Sequence, residues 1–325
     1  MKHISILVPS NAVLGSIEGP RQVLTETNKY LQSKGINSPW KIELAGLKNE
    51  VEACGNRYKI FTDTTIDKIE QTDLIIIPAI DGDIPKIIEA NQEFLPWIVK
   101  HYKSGAEVAS LCLGAFFLAS TGLINGKKCA THWMAANGFR KMFPQVELVE
   151  DRIITDEQGI YTSGGAFSYL NLILYLIEKF QGRDTAIYMS KAFQIDIERR
   201  SQSPFIIFEG QKDHEDEQIK KAQKYIEINF QNKMTVDEIA DILFLGRRNL
   251  ERRFKKATSN TVMEYIQRVK IEAAKKSFET NRKNINEVMY EVGYSDTKAF
   301  RMIFKKITGM SPIEYRNKYS KVAVN

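Results

Sequence analysis

Cysteine and histidine are scarce in this chain: three Cys (Cys54, Cys112, Cys129) and four His (His3, His101, His132, His214) among 325 residues. An odd number of cysteines without metal-type spacing argues against a disulfide framework or a zinc site, so neither metal nor cofactor is expected and a reducing compartment fits. Long apolar runs are also missing. The most apolar stretch, Leu111 to Ile124, is broken by Gly and Ser/Thr and falls short of the roughly 20 residues that span a bilayer. The first apolar run, Ile4 to Val8, is cut by Pro9 with no cleavage-site pattern after it, so it reads as a β-strand rather than a signal peptide. A cytoplasmic, membrane-free protein is expected. Nine Pro and nineteen Gly, with 43% apolar and 26% charged residues, leave no room for a fibrous or disordered class.

What is present is unevenly placed. The net charge of +6 divides into 22 Lys/Arg against 24 Asp/Glu in residues 1–210 and 24 against 16 in residues 211–325. The basic excess belongs to the C-terminal third. Up to about residue 198, short β-branched runs alternate with helical patterns, as in a parallel sheet covered by helices. Strands are expected at Ile4 to Pro9, Lys41 to Ala45, Leu74 to Ile77 and Glu107 to Leu111. Helices are expected from Pro20 to Gly35, Pro85 to Tyr102, Gly114 to Thr121 and Gly165 to Phe180. The fold class is therefore α/β, a doubly wound, mostly parallel sheet with helices on both faces, over residues 1–198. A polar, charge-rich linker is expected at 199–217, where apolar periodicity fails. Residues 218–320 read as an all-α domain with two helix-turn-helix units.

The two units rest on an internal repeat. Phe254-Lys255-Lys256-Ala257-Thr258, followed by Glu264-Tyr265, returns fifty positions later as Phe304-Lys305-Lys306-Ile307-Thr308 and Glu314-Tyr315. Ahead of each lies a short amphipathic helix and a turn, Phe244-Leu245-Gly246 in the first copy and Gly293-Tyr294-Ser295-Asp296 in the second, with Ser295 or Asp296 as N-cap. Spacing buries Leu250 and Phe254 and leaves Arg248, Glu251, Arg252 and Lys255 outward. It buries Phe300 and Phe304 and leaves Thr297, Lys298, Arg301 and Lys305 outward. Arg forks onto guanine and Glu accepts from cytosine in the major groove, so two basic helices of one design point to double-stranded DNA as partner.

Over about 100 residues this third resembles the AraC-type DNA-binding domain, most specifically in the closing run from Phe304 to Arg316 with its Gly309-Met310-Ser311-Pro312 core. The resemblance implies seven helices, a long bridging helix at about Val262 to Thr280, and entry of both recognition helices into successive major-groove segments. Carried over by position, base-facing residues are Arg248, Glu251 and Arg252 in the first unit and Thr297, Lys298, Arg301 and Met302 in the second. The family usually has Arg where Met302 stands.

In the N-terminal domain Val108-Ala109-Ser110-Leu111-Cys112-Leu113-Gly114-Ala115 places Cys112 at a strand-to-helix junction, either a nucleophile elbow whose helix favours a thiolate or a buried core cysteine. His132 is the one histidine in a plausible post-strand loop. From Ile4 to about Ile197 the chain resembles the PfpI/ThiJ-like branch of the class I glutamine-amidotransferase-like superfamily, through Glu18-Gly19-Pro20, the Cys112 elbow, Gly122-Leu123-Ile124-Asn125-Gly126, Thr131-His132-Trp133 and Thr162-Ser163-Gly164-Gly165. In that superfamily a Glu near the first strand bonds the elbow Cys, a part open to Glu18, and a His commonly follows the Cys, where this chain has Leu113. With Gln202-Ser203-Pro204-Phe205 joining the two parts, the whole resembles the GlxA family of transcriptional regulators, in which Asp is frequent at the place of Asn171. The resemblance implies a regulator and not an enzyme, with Glu18, Cys112 and His132 lining a pocket for a small-molecule effector, and a homodimer. Two other readings of the elbow stand beside it: an amidohydrolase or glyoxalase-like enzyme with a DNA-binding tail, and redox sensing through Cys112.

Overall fold

A computed structural model describes residues 2–36, 40–53, 57–198 and 201–320. Cys54, Arg199 and Arg200 lie outside the described residues. The chain separates into two compact units that meet between Gln202 and Ser203.

The first unit runs β1 (His3–Val8), α1 (Gly15–Ser33), β2 (Lys41–Gly46), β3 (Glu50–Ala53), β4 (Tyr58–Phe61), β5 (Thr64–Thr65), β6 (Leu74–Ile77), α2 (Ile84–Ala90), α3 (Phe94–Lys103), β7 (Glu107–Leu111), α4 (Gly114–Ser120), β8 (Lys128–Cys129), α5 (Ala136–Met142), β9 (Glu147–Leu148), β10 (Ile154–Glu157), β11 (Ile160–Ser163), α6 (Tyr169–Gln181) and α7 (Arg183–Phe193). Seven strands form one sheet in the order β10-β11-β7-β6-β1-β2-β5, parallel except for the β10–β11 hairpin. Side-chain alternation assigns each strand residue to one face. Leu74 and Ile76 pack with α1, α6 and α7 residues such as Val23, Leu172 and Met189, while Ile75 and Ile77 pack with Phe94, Phe117 and Phe139 of α3, α4 and α5. Both faces are thus buried, which is why the central strand reads as an unbroken apolar run. Chain order reverses beside β1, and crevices for ligands form at the carboxyl edge of such sheets.

Three helix boundaries differ from those expected. Helix α1 begins at Gly15, with Pro20 inside it rather than at its start. Tertiary hydrogen bonds hold the extra turn: Ser16 Oγ donates to Val13 O (2.7 Å) and accepts from Ala79 N (2.9 Å), and the Tyr169 hydroxyl donates to Gly15 O (2.7 Å). The expected helix from Pro85 to Tyr102 is two helices. Asn91 separates them because its buried amide is drawn to the Ser10 loop, accepting from Ser10 N (2.9 Å) and donating to Ser10 Oγ (2.8 Å). Helix α6 starts at Tyr169, since Gly165 adopts a left-handed turn.

The second unit contains seven α-helices among its described residues: α8 (Glu217–Asn229), α9 (Val236–Ile242), α10 (Arg247–Thr258), α11 (Val262–Thr280), α12 (Ile285–Glu291), α13 (Thr297–Thr308) and α14 (Pro312–Tyr319). The repeat is structural. Helices α9 and α12 both open with a capping box, Thr235 with Glu238 and Asn284 with Glu287, satisfying amide groups that a helix start leaves unpaired. The repeated Glu-Tyr pairs serve the same ends twice. Glu264 and Glu314 close capping boxes with Thr261 and Ser311, and Tyr265 and Tyr315 are buried edge-on against Phe254 and Phe304. Each half has its own core, built on Leu250 and Phe254 in one and on Phe300 and Phe304 in the other. Residues 203–217, expected as linker, include a short helical turn at Ser203–Phe205 and supply Phe208 to the first core.

Candidate DNA-reading face and elbow site

Burial of Leu250, Phe254 and Thr258 on α10 turns Arg248, Glu251, Arg252 and Lys255 to solvent. They are not equivalent. The Glu251 carboxylate accepts from Arg247 Nε (3.2 Å), whose Nη1 reaches Asp237 (2.9 Å), so Glu251 is already occupied. Arg252 Nη2 donates to Asn249 Oδ1 (3.1 Å), which holds its guanidinium along the helix. On α13, Lys298, Arg301 and Met302 are exposed and Thr297 is half-buried at the first turn, where Asp296 is the N-cap and accepts from Ala299 N (2.9 Å). No ion pair engages Arg248, Lys298 or Arg301 among the described residues. Three cations on two matched helices are therefore free to meet phosphates or base edges.

The sequence did not reveal one reinforcement. Arg253, on the inner side of α10, forks onto Asp216 (2.9 Å from Nε to Oδ2), the same carboxylate that caps α8, and this pairing holds Asp216 below the usual carboxylate range. Periodicity marked Arg253 only as basic; its partner lies 37 positions away.

In the first unit Cys112 follows β7 at φ +52°, a strained elbow. Its N–H donates to Ser163 O (3.0 Å) and its carbonyl accepts from Thr131 Oγ1 (3.0 Å). The backbone geometry is that of a nucleophile elbow. Burial pushes the Cys112 thiol up to about 11, against the thiolate expected from the helix beside it. Desolvation outweighs the opposing hydrogen bond from the Leu113 backbone. Glu18 does not reach the sulfur either: both its oxygens pair with Arg21 (2.6 and 2.7 Å). His132 is half-buried, with its pKa lowered by burial, and its Nδ1 accepts from Met134 N (3.1 Å) as a helix cap. Among the described residues no hydrogen bond joins Cys112 to Glu18 or His132. Asn171 donates its amide to Asp196 O, a bond that an ionised Asp could not make.

A residue valued only as part of the joining motif bonds Thr131, one of the elbow's supports. Gln202 is buried, and its Nε2 donates to Thr131 O (3.0 Å) and Arg152 O (3.2 Å), while Oε1 is buried without a hydrogen-bond partner. A Cβ on Gly164 would stand 2.4 Å from Gln202 Nε2, so glycine there is what admits the Gln202 side chain. Burial of a long amide at a chain junction leaves no periodic trace, which is why the pattern did not show it.

Residues 20–179 match the DJ-1/PfpI family and residues 239–318 a helix-turn-helix domain. The HTH-type transcriptional regulator ArgR of Pseudomonas aeruginosa is 26% identical over 216 residues, covering 66% of this chain and 65% of that protein. The HTH-type transcriptional regulator GbdR of the same species is 22% identical over 259 residues, covering 79% of this chain and 70% of that protein. This chain therefore spans about two thirds of the length of those two curated relatives. A ThiJ/PfpI family protein from Pseudomonas syringae superposes on 60% of this chain and 75% of its own with a TM-score of 0.51 at 15% identity, a likeness of fold. No described helix is long and apolar enough to cross a membrane.

Proposed function

We propose that this chain, which matches the DJ-1/PfpI family over residues 20–179 and a helix-turn-helix domain over residues 239–318, is an AraC-type transcription regulator, that α10 and α13 are its recognition helices and that the elbow of the first unit senses a small molecule. The observation that carries the DNA reading is the repeated scaffold with the cations Arg248, Lys298 and Arg301, unpaired among the described residues, outside it: Arg248 and the Asn249-oriented Arg252 read bases in the first copy, and Thr297, Lys298, Arg301 and Met302 meet the second segment of the groove. Glu251 acts mainly by fixing Arg247. Double-stranded DNA is the partner, the protein works in the cytoplasm, and pairing into a homodimer places two such readers on one operator. A gel-shift series on the promoter beside its own gene tests this. Sequence-selective binding that weakens steeply with salt is expected; binding indifferent to both would refute it.

In this reading the first unit is a sensor and not an enzyme. The high thiol pKa of Cys112, the engagement of Glu18 by Arg21 and the capping role of His132 support that. Gln202 Oε1 offers an acceptor to an effector bearing an N–H or O–H group, and Gln202 is bonded in the chain to Ser203, the first residue of the helical unit. Cys112 is expected to resist iodoacetamide at pH 8 and the protein to show no amidase or glyoxalase turnover; rapid alkylation with turnover would restore the enzyme reading. Regulation that is unchanged by oxidant in both the parent and Cys112→Ser would remove redox sensing.

A further inference from the structure

Both helix-turn-helix copies begin their turn with a left-handed residue, Phe244 at φ +53° in the first and Gly293 at φ +76° in the second. The second position is closed. A Cβ on Gly293 would lie 2.1 Å from Gln231 O and 2.7 Å from Lys270 Nζ, so packing and backbone both require glycine. The first position is open, and Phe244 is 97% exposed, more than any other large apolar side chain among the described residues. A phenyl ring gains nothing from either circumstance. The left-handed backbone crowds its Cβ, and the ring is fully wetted, so Gly or Asn would serve this turn better.

Its surroundings say what the ring is for. Arg248 follows four positions on and Arg252 one helical turn later, both exposed, while Arg247 is held by Asp237 and Glu251. A polyanion complements this rim. When a recognition helix docks, its N-terminal end approaches the base edges, and the turn that precedes it arrives there too. Phe is among the side chains that contact the C5 methyl of thymine in the major groove.

We infer that Phe244 is a specificity-determining DNA contact, seated on a thymine methyl next to the base pair that Arg248 reads. The inference rests on α10 being a recognition helix. The test uses the full-length protein to enrich duplexes from a randomised pool, then replaces each thymine of the enriched duplex by deoxyuridine, which removes one methyl and keeps the pairing. One position is expected to lose about fourfold in affinity, the value of one buried carbon. Phe244→Gly and Phe244→Asn are expected to bind the thymine and deoxyuridine duplexes equally, at the weaker level, with thermal midpoints at or above the parent's. Deoxyuridine sensitivity that survives undiminished in both variants, or none at any position in the parent, would overturn the contact. Variants that bind DNA like the parent but lose transcription in a reconstituted system would overturn it too, making Phe244 a protein contact. A pool that yields no enriched sequence would instead refute the recognition-helix reading on which it depends.

Discussion

The two helix-turn-helix copies differ outside and agree inside. Leu250, Phe254 and Thr258 answer to Phe300, Phe304 and Thr308; both threonines donate back to the phenylalanine carbonyl at 2.8 Å, and left-handed Ser259 and Gly309 end the two helices. On the surface the correspondence stops. The first copy presents Phe244, Arg248 and Arg252, the second Lys298, Arg301 and Met302, which is 62% exposed. The first is tied to α8 by the Arg253–Asp216 pair, while fifty positions on Ile303 packs against the second core. Packing tolerates few solutions for a small four-helix core, whereas an outward position is answerable only to what it touches.

The shared interior predicts the largest effects. Phe254→Ala and Phe304→Ala should each cost about 3–5 kcal/mol, through lost burial and an unfilled cavity, read as a lowered urea midpoint of the helical unit. Similar losses are expected from both; a cost below 1 kcal/mol in either would break the equivalence. The divergent exterior predicts a split in binding. Arg252→Ala should cost about 1–3 kcal/mol in specific DNA affinity, while Met302→Ala costs little, because a thioether makes no forked bond to a base. Fluorescence anisotropy on the enriched duplex checks this, and equal losses would erase the asymmetry. Thr235→Ala and Asn284→Ala remove equivalent caps and should cost about 1 kcal/mol each in thermal unfolding.

Acid should separate the copies by the smallest margin. The Asp216 carboxyl is held below its ordinary value by Arg253 and by the Ile219 amide. Its contribution is therefore present above about pH 4 and is lost as pH falls through the depressed folded value. For a partly exposed pair this is about 1 kcal/mol or less. Hydrogen exchange at low pH should loosen α8 and α10 before α13; simultaneous loosening would show that the pair does not distinguish them.

Much of this architecture was legible beforehand because it is periodic. The apolar run Leu74 to Ile77 announced a buried parallel strand, and the fifty-residue repeat announced two units, their buried phenylalanines and their exposed cations. Helix ends were less legible where distant groups decide them: Asn91 breaks a helix for the sake of Ser10, and Tyr169 and Ala79 extend α1 beyond Pro20. The elbow was the least legible part. Its residue types left a nucleophile and a buried core cysteine both open, because the ionisation of Cys112 depends on how much water reaches the sulfur, and no spacing encodes that.

The sequence by itself therefore determined the two-part plan, the sheet and the doubled helix-turn-helix, since each follows from local propensity and the repeat period of apolar residues. Tertiary structure alone decided that Glu18 turns to Arg21, that Cys112 is a desolvated thiol, that Gln202 is buried beneath Thr131, and that Phe244 stands clear while Gly293 is enclosed. Those outcomes depend on distance and solvent exclusion between residues far apart in the chain, where desolvation and hydrogen-bond partners set charge and orientation.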